Sequence, residues 1–131
     1  MVDIARDGMC AVVTLNRPAA MNALSFDVLR EIGEAIDLAA SWDVRAVVFV
    51  GAGEKAFCAG ADIKELMGRS VIEEKRGAEL GQATFAKLDS LPMPSIAALN
   101  GYAFGGGLEL AMACTCRVAT KAAKMRLPEI R

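Results

Sequence analysis

The sequence predicts an α/β layered fold. Three observations predict it: strand-like and helix-like runs alternate along the whole chain, one strand is continuously apolar, and small-residue turns stand where strand gives way to helix. Length and composition set the scale. The 131 residues, 54% of them hydrophobic, suit one globular unit rather than two. A domain of this size buries roughly two thirds of the surface that its unfolded chain exposes. Its Ala, Val, Leu, Ile and Met residues can fill that core.

Residues 9–15 contain the β-branched run Ala11-Val12-Val13-Thr14 and end at Asn16-Arg17-Pro18. Proline lacks an N–H and fixes φ, so this reads as strand then loop. Ser25 is a candidate N-cap with Asp27 in the following turn, and Leu29, Ile32, Ile36 and Ala39 recur at helical spacing. Residues 45–50 form a second strand, whose unbroken apolar run predicts that both faces are covered. Residues 60–67 read as a loop entering a short helix, with Asp62 near its start. Residues 71–91 read as a longer amphipathic helix closed by Pro92-Met93-Pro94. A short strand over 95–99, a turn at Asn100-Gly101, a helix over 108–114 and a strand over 117–120 complete the series. No internal repeat is evident at the level of residues.

Composition removes several chemistries. Lys plus Arg is 15 and Asp plus Glu 16, a net charge of −1, so no positive field draws in nucleic acid or an anionic membrane. With no histidine, the chain cannot build a Ser-His-Asp or Cys-His pair or a His-containing zinc site, and no metal site is expected. Cys10, Cys58, Cys114 and Cys116 match neither a CxxC pair nor a zinc ladder and read as reduced core thiols. The first seven residues carry charge and lack a signal-peptide segment, and the longer apolar stretches are broken by Asn100 and Glu109. The expectation is a soluble, cytoplasmic protein. The chain ends at Leu127-Pro128-Glu129-Ile130-Arg131, directly after a helix and a strand, which leads to the expectation that it is part of a larger module.

Two segments carry the chemistry: residues 56–64 and residues 100–111, each joining a small-residue turn to a helix start. The first N–H groups of a helix have no internal partner and sit at the positive end of its dipole. Two such ends facing one another make a cage for an oxygen that becomes negative, and each donor is worth about 3–4 kcal/mol of barrier. Gly105-Gly106-Gly107 lets backbone approach a substrate closely; taken alone, it reads more readily as a device for packing a strand against a helix. No Lys-Ser or Lys-Thr follows as a phosphate loop requires, and the GxGxxG pattern is absent. Glu109 lies three residues after Gly106, on the same helical face. Its apolar neighbours Leu108, Leu110, Ala111, Met112 and Ala113 predict a buried carboxylate. Glu129 follows Leu127-Pro128, where proline stiffens the segment that holds it.

These segments, with Leu15-Asn16-Arg17-Pro18, Met21-Asn22-Ala23-Leu24 and Leu127-Pro128-Glu129, closely resemble the enoyl-CoA hydratase/isomerase (crotonase) superfamily over almost the whole chain. The resemblance implies a crotonase-like spiral of ββα units, truncated before the C-terminal helical region, so that residues 1–131 are the N-terminal part of a single domain. It implies an acyl-CoA thioester as substrate and assembly as a homotrimer or dimer of trimers. It implies no metal or redox cofactor, CoA entering as part of the substrate. By motif match the oxyanion-hole donors are the backbone amides of Ala61 and Gly106, and Ala23, Ala59, Gly60, Asp62, Ile63 and Gly105 join them in substrate binding. Glu109 and Glu129 match the two glutamates that hold water in the hydratase branch. The helix start favours the charged form of Glu109, which assigns it as base and Glu129 as the acid that protonates C2. Met125-Arg126, where hydratases usually carry Phe-Gly, and Thr115, where an acid is often found, depart from the pattern. The function implied is hydration of 2-enoyl-CoA to 3-hydroxyacyl-CoA. The alternatives are an enoyl-CoA isomerase or other enzyme of the superfamily, and a catalytically silent acyl-CoA-binding or assembly fragment.

Overall fold

The computed structural model describes residues 1–126, apart from the side chains of Ile63 and Leu66. Strands β1 (Val2–Asp7) and β2 (Cys10–Leu15) form an antiparallel hairpin that turns at Gly8, whose φ is 59°. Strands β3 (Ala46–Gly51), β5 (Ser95–Leu99) and β7 (Cys116–Ala119) extend β2 in parallel, giving a five-stranded sheet in the order β1-β2-β3-β5-β7. A second, all-parallel sheet holds β4 (Ala56–Cys58), β6 (Tyr102–Phe104) and β8 (Lys124–Arg126). Each large-sheet strand from β3 onward is thus followed at once by a short strand of the small sheet. Helices follow in turn: α2 (Ile63–Leu66) and α3 (Val71–Ala86) after β4, and α4 (Gly106–Ala113) after β6. The ββα repeat is present in space although no residue pattern reveals it.

Helix α1 (Phe26–Ala40) begins where expected, because the Oγ of Ser25 accepts the Val28 N–H at 3.1 Å. Its stripe of Val28, Leu29, Ile32, Ile36 and Ala39 forms one core with Ala11, Val13, Leu15, Val47, Phe49, Ala97 and Leu99 of the large sheet. Each such buried aliphatic or aromatic side chain contributes about 1.5–3 kcal/mol relative to exposure. In register the opposite face carries Val12, Val48 and Ile96, which are only half-buried. The expectation that β3 is covered on both faces is therefore corrected: α1 packs on one face, and among the described residues nothing fully covers the other.

Two further expectations change. The helix read over 71–91 is α3 followed by a tighter 3-10 turn at Lys87–Ser90, and Thr84 is its one fully buried residue. Only Cys58 and Cys114 are core thiols, with burial pushing their pKa values up to about 12 and about 11. Cys10 is half-buried and Cys116 exposed, because the latter sits on the open face of edge strand β7. Thr115, one of the departures from the family pattern, ties the end of α4 to β5: its N–H donates to the Ser95 Oγ and its Oγ1 accepts the Ser95 N–H, both at 3.0 Å.

Candidate active site

The loop before α1 is held by its own polar residues. Met21 and Asn22 both adopt left-handed backbone, with φ of 53° and 56°. Asn22 is 1% exposed, and burial of an amide requires partners. Its Oδ1 accepts the Arg17 N–H at 2.8 Å, and its Nδ2 donates to the carbonyls of Ala52 and Ala56 at 3.0 Å each. The Arg17 guanidinium donates to the Ala23 carbonyl and to the Asp62 carboxylate, both at 3.1 Å. The other Asp62 oxygen accepts the Lys64 N–H at 3.0 Å, at the start of α2. Burial pushes the Asp62 pKa up, but Arg17 and the nearby amides outweigh it and hold the carboxyl below its ordinary value.

Leu24 and Ala61 form an isolated parallel bridge. The Leu24 N–H donates to the Gly60 carbonyl at 2.7 Å, and the Asp62 N–H donates to the Leu24 carbonyl at 3.0 Å. In a parallel pairing the bonded groups belong to the residues on either side, so the amide of Ala61 itself points away from Leu24. Ala61 is therefore freed by a strand bridge two residues before α2, rather than by being the first residue of a helix as its sequence context suggests.

Helix α4 starts from Gly105, whose φ of 50° needs glycine and whose N–H donates to the Arg126 carbonyl at 2.8 Å. Gly106 is its first residue, so the Gly106 amide has no acceptor inside the helix. Gly107 lies against Cys58 of β4, where no Cβ would fit. Gly105 is thus required by its backbone conformation and Gly107 by packing against β4, while a Cβ on Gly106 would meet the Leu24 Cδ1 at 3.0 Å. A Cβ placed on Gly60 would stand 3.1 Å from the Phe104 carbonyl and 3.9 Å from the Gly106 nitrogen, so the backbone before Ala61 faces the start of α4.

Ala61, Gly106 and Glu109 border one cleft of about 490 Å3, whose apolar wall includes Leu24, Phe26, Leu29 and Phe85. Glu109 is exposed, which corrects the expectation of a buried carboxylate. Helix α4 is covered along Gly107, Leu110 and Ala111, while its other side, with Glu109 and Met112, is open. Of the other predicted site residues, Ala23, Ala59, Gly60, Asp62 and Gly105 lie in the backbone that supports this wall, and Ile63 opens α2. Glu129 lies outside the described residues.

Sequence reasoning gave no role to Arg17, Asn22, Glu65 or Arg69. Glu65 accepts the Phe26 N–H at 2.8 Å and pairs with Arg69, whose guanidinium lies 3.8 Å from the centre of the Phe26 ring at the cleft wall. The four-residue spacing of Glu65 and Arg69 was the available signal. Arg17 and Asn22 offer none, since the contacts that tie their loop to the rest of the site, at Ala52, Ala56 and Asp62, are 30 to 45 residues away.

A sequence model of the family described as enoyl-CoA hydratase/isomerase matches residues 6–131. The chain belongs to the enoyl-CoA hydratase/isomerase family. Among its relatives, the short-chain-enoyl-CoA hydratase of Clostridium acetobutylicum is 45% identical over 130 residues, 98% of this chain and 50% of that protein. The crotonyl-CoA hydratase of Syntrophomonas wolfei is 44% identical over 122 residues, 92% of this chain and 46% of that protein. The crystal structure of an enoyl-CoA hydratase from Bacillus anthracis superposes with a TM-score of 0.91 at 36% identity, covering 95% of this chain and 49% of that one. This family member therefore has the crotonase fold, and it spans about half the length of the curated relatives it matches. Among the described residues no helix is long and apolar enough to cross a membrane.

Proposed function

We propose that this protein hydrates 2-enoyl-CoA thioesters to 3-hydroxyacyl-CoA. The observation that supports the reading is that Ala61, Gly106 and Glu109 border a single cleft. In this reading the amides of Ala61 and Gly106 donate to the thioester oxygen as it gains negative charge. Glu109 takes a proton from water while the water oxygen bonds to C3, the double-bond electrons move toward the carbonyl, and Glu129 gives its proton to C2. In the reverse direction the same groups exchange roles. CoA enters as part of the substrate, and the reaction requires no metal or redox cofactor. The substrate-binding roles of Ala23, Ala59, Gly60, Asp62, Ile63 and Gly105 belong to the same reading, as do a trimer or dimer of trimers and a cytoplasmic location.

The test is crotonyl-CoA hydration by the intact protein, followed by loss of the conjugated thioester absorbance. Glu109→Gln and Glu129→Gln should each lower turnover to about a hundredth or less. Wild-type turnover in either variant would defeat the two-glutamate mechanism. A second reading, double-bond isomerisation, is favoured by the single family description that covers both activities and by Glu109 bordering the cleft. Product analysis after incubation with 3-enoyl-CoA separates the two. A silent acyl-CoA-binding role predicts calorimetric binding of an acyl-CoA without turnover of either substrate.

A further inference from the structure

Arg17 lies behind the cleft wall, yet its side chain joins the two backbone segments that meet at the Leu24–Ala61 bridge. We propose that Arg17 is a positioning residue that sets the direction of the Ala61 amide; this rests on the reading of that amide as a carbonyl donor. The bridge is isolated: two backbone hydrogen bonds hold Ala61 against Leu24, and one more, from the Ala59 N–H to the Met21 carbonyl at 3.0 Å, joins the same two segments. One prong of the guanidinium binds the carbonyl of Ala23, the residue before Leu24. The other binds the carboxylate of Asp62, the residue after Ala61. A planar two-pronged cation can span both segments at once; a lysine ammonium is a single point of charge and cannot reproduce that geometry.

Arg17 is itself immobilised. Its N–H is held by the buried Asn22 Oδ1, and its carbonyl accepts the N–H groups of Ala20 and Asn22, at 2.9 Å each. Asn22 is anchored in turn on Ala56 of β4, the strand that leads to Ala61. The connections form a closed ring from Arg17 through Asn22 and β4 to Asp62 and back. The side chains of the pair are 24% and 16% exposed, so solvent screens it less than an ordinary surface ion pair. Loss of Arg17 leaves the ring open at the point adjoining the amide.

The experiment reads the amide through its ligand. Butyryl-CoA labelled with 13C at the thioester carbonyl has no double bond to hydrate, and its carbonyl stretch drops in frequency when hydrogen bonds polarise it. The intact wild-type protein should lower that frequency, and Arg17→Gln should recover only part of the drop. Arg17→Lys should fall between them. In crotonyl-CoA hydration, Arg17→Gln should lower kcat about tenfold to a hundredfold while KM changes much less, as expected for a small misplacement at the reacting centre. Should Arg17→Gln fail to fold, Asp62→Ala removes the acceptor of the same link and should weaken the drop in the same direction. A full wild-type drop in either folded variant overturns the proposal while leaving the oxyanion reading intact. No drop in the wild type overturns the oxyanion reading, and the proposal with it.

Discussion

Replacing Gly107 by alanine puts a methyl group where α4 meets β4. The new Cβ would lie 2.8 Å from both the carbonyl carbon and the Cβ of Cys58, and nearer still to the carbonyl oxygen, where ordinary contact begins at 3.4 Å. Cys58 is fully buried in β4 and cannot step aside, so α4 must move by more than the 0.6 Å by which those two contacts fall short, the carbonyl oxygen being closer still. Overpacking of this kind costs about 1–3 kcal/mol, offset by up to about 1 kcal/mol from removing a helical glycine. At this chain length each kcal/mol lowers Tm by about 3–5 °C. Helix α4 also carries Gly106 and Glu109, and a displacement of about 1 Å at reacting groups costs on the order of a hundredfold in rate. Turnover by Gly107→Ala should therefore fall further than its melting temperature accounts for. Gly33→Ala in α1 is the stability control: its Cβ meets nothing nearer than the Lys87 Nζ at 3.5 Å, so melting should stay level or rise. Circular-dichroism melts and crotonyl-CoA hydration measure the two effects. A Gly107→Ala protein that melts with the wild type and keeps its kcat refutes the close-approach argument.

Two further outcomes follow from the titrating groups. The folded-state pKa of Asp62 lies below its ordinary value of 3.8, so the stability from its pairing with Arg17 is complete above that pH and fades as pH falls through the depressed value. Asp62→Asn should lower stability by about 1 kcal/mol at pH 7, with the gap to wild type closing under acid; urea midpoints at pH 7 and pH 3 measure it, and a gap unchanged by acid contradicts the assignment. The thiols should react in order of exposure. Maleimide should label Cys116 rapidly in the native protein and leave Cys58 and Cys114, raised to about 12 and about 11 by burial, unlabelled until denaturant is added; early labelling of Cys58, read by peptide mass, would be the contrary result.

The elements legible in the sequence are those long enough to show a period. Helix α1 repeats its apolar residues over fifteen positions behind a Ser25 cap, and β2, β3 and β5 are runs of five or six residues bounded by turn signals. The small sheet was invisible because β4, β6 and β8 have three residues each, too few for alternation to appear. Strand β1 has no legible period because Asp3, Arg6 and Asp7 interrupt it, which a sheet edge tolerates since most of its residues are exposed. The site divides in the same way. Glycine spacing and the carboxylate three residues on pointed to Gly106 and Glu109, but the apolar neighbours of Glu109 report how greasy α4 is, not which side of it is covered. The supporting ring of Arg17, Asn22 and Asp62 joins positions up to 45 residues apart, and no local pattern announces such pairs.

The distance between the two proposed donors follows from the sheet that was hardest to read. Ala61 comes three residues after β4 and Gly106 two residues after β6, and those strands are parallel neighbours. Neighbouring strands lie about 4.8 Å apart, while two N–H groups that share one oxygen at about 2.9 Å each must have nitrogens closer than about 5.8 Å. Chains leaving the same ends of adjacent strands begin within that limit, so small turns suffice to aim both amides at one atom. The register has one irregularity: Ala56 pairs with Tyr102 and Cys58 with Ala103, so the extra residue, Phe57, bulges β4. That bulge offsets the two strand ends by one residue, and Phe57 is fully buried, so the offset is locked by packing. The alignment of the site is therefore a property of sheet register and buried side chains, while the groups proposed to meet the thioester oxygen are backbone alone.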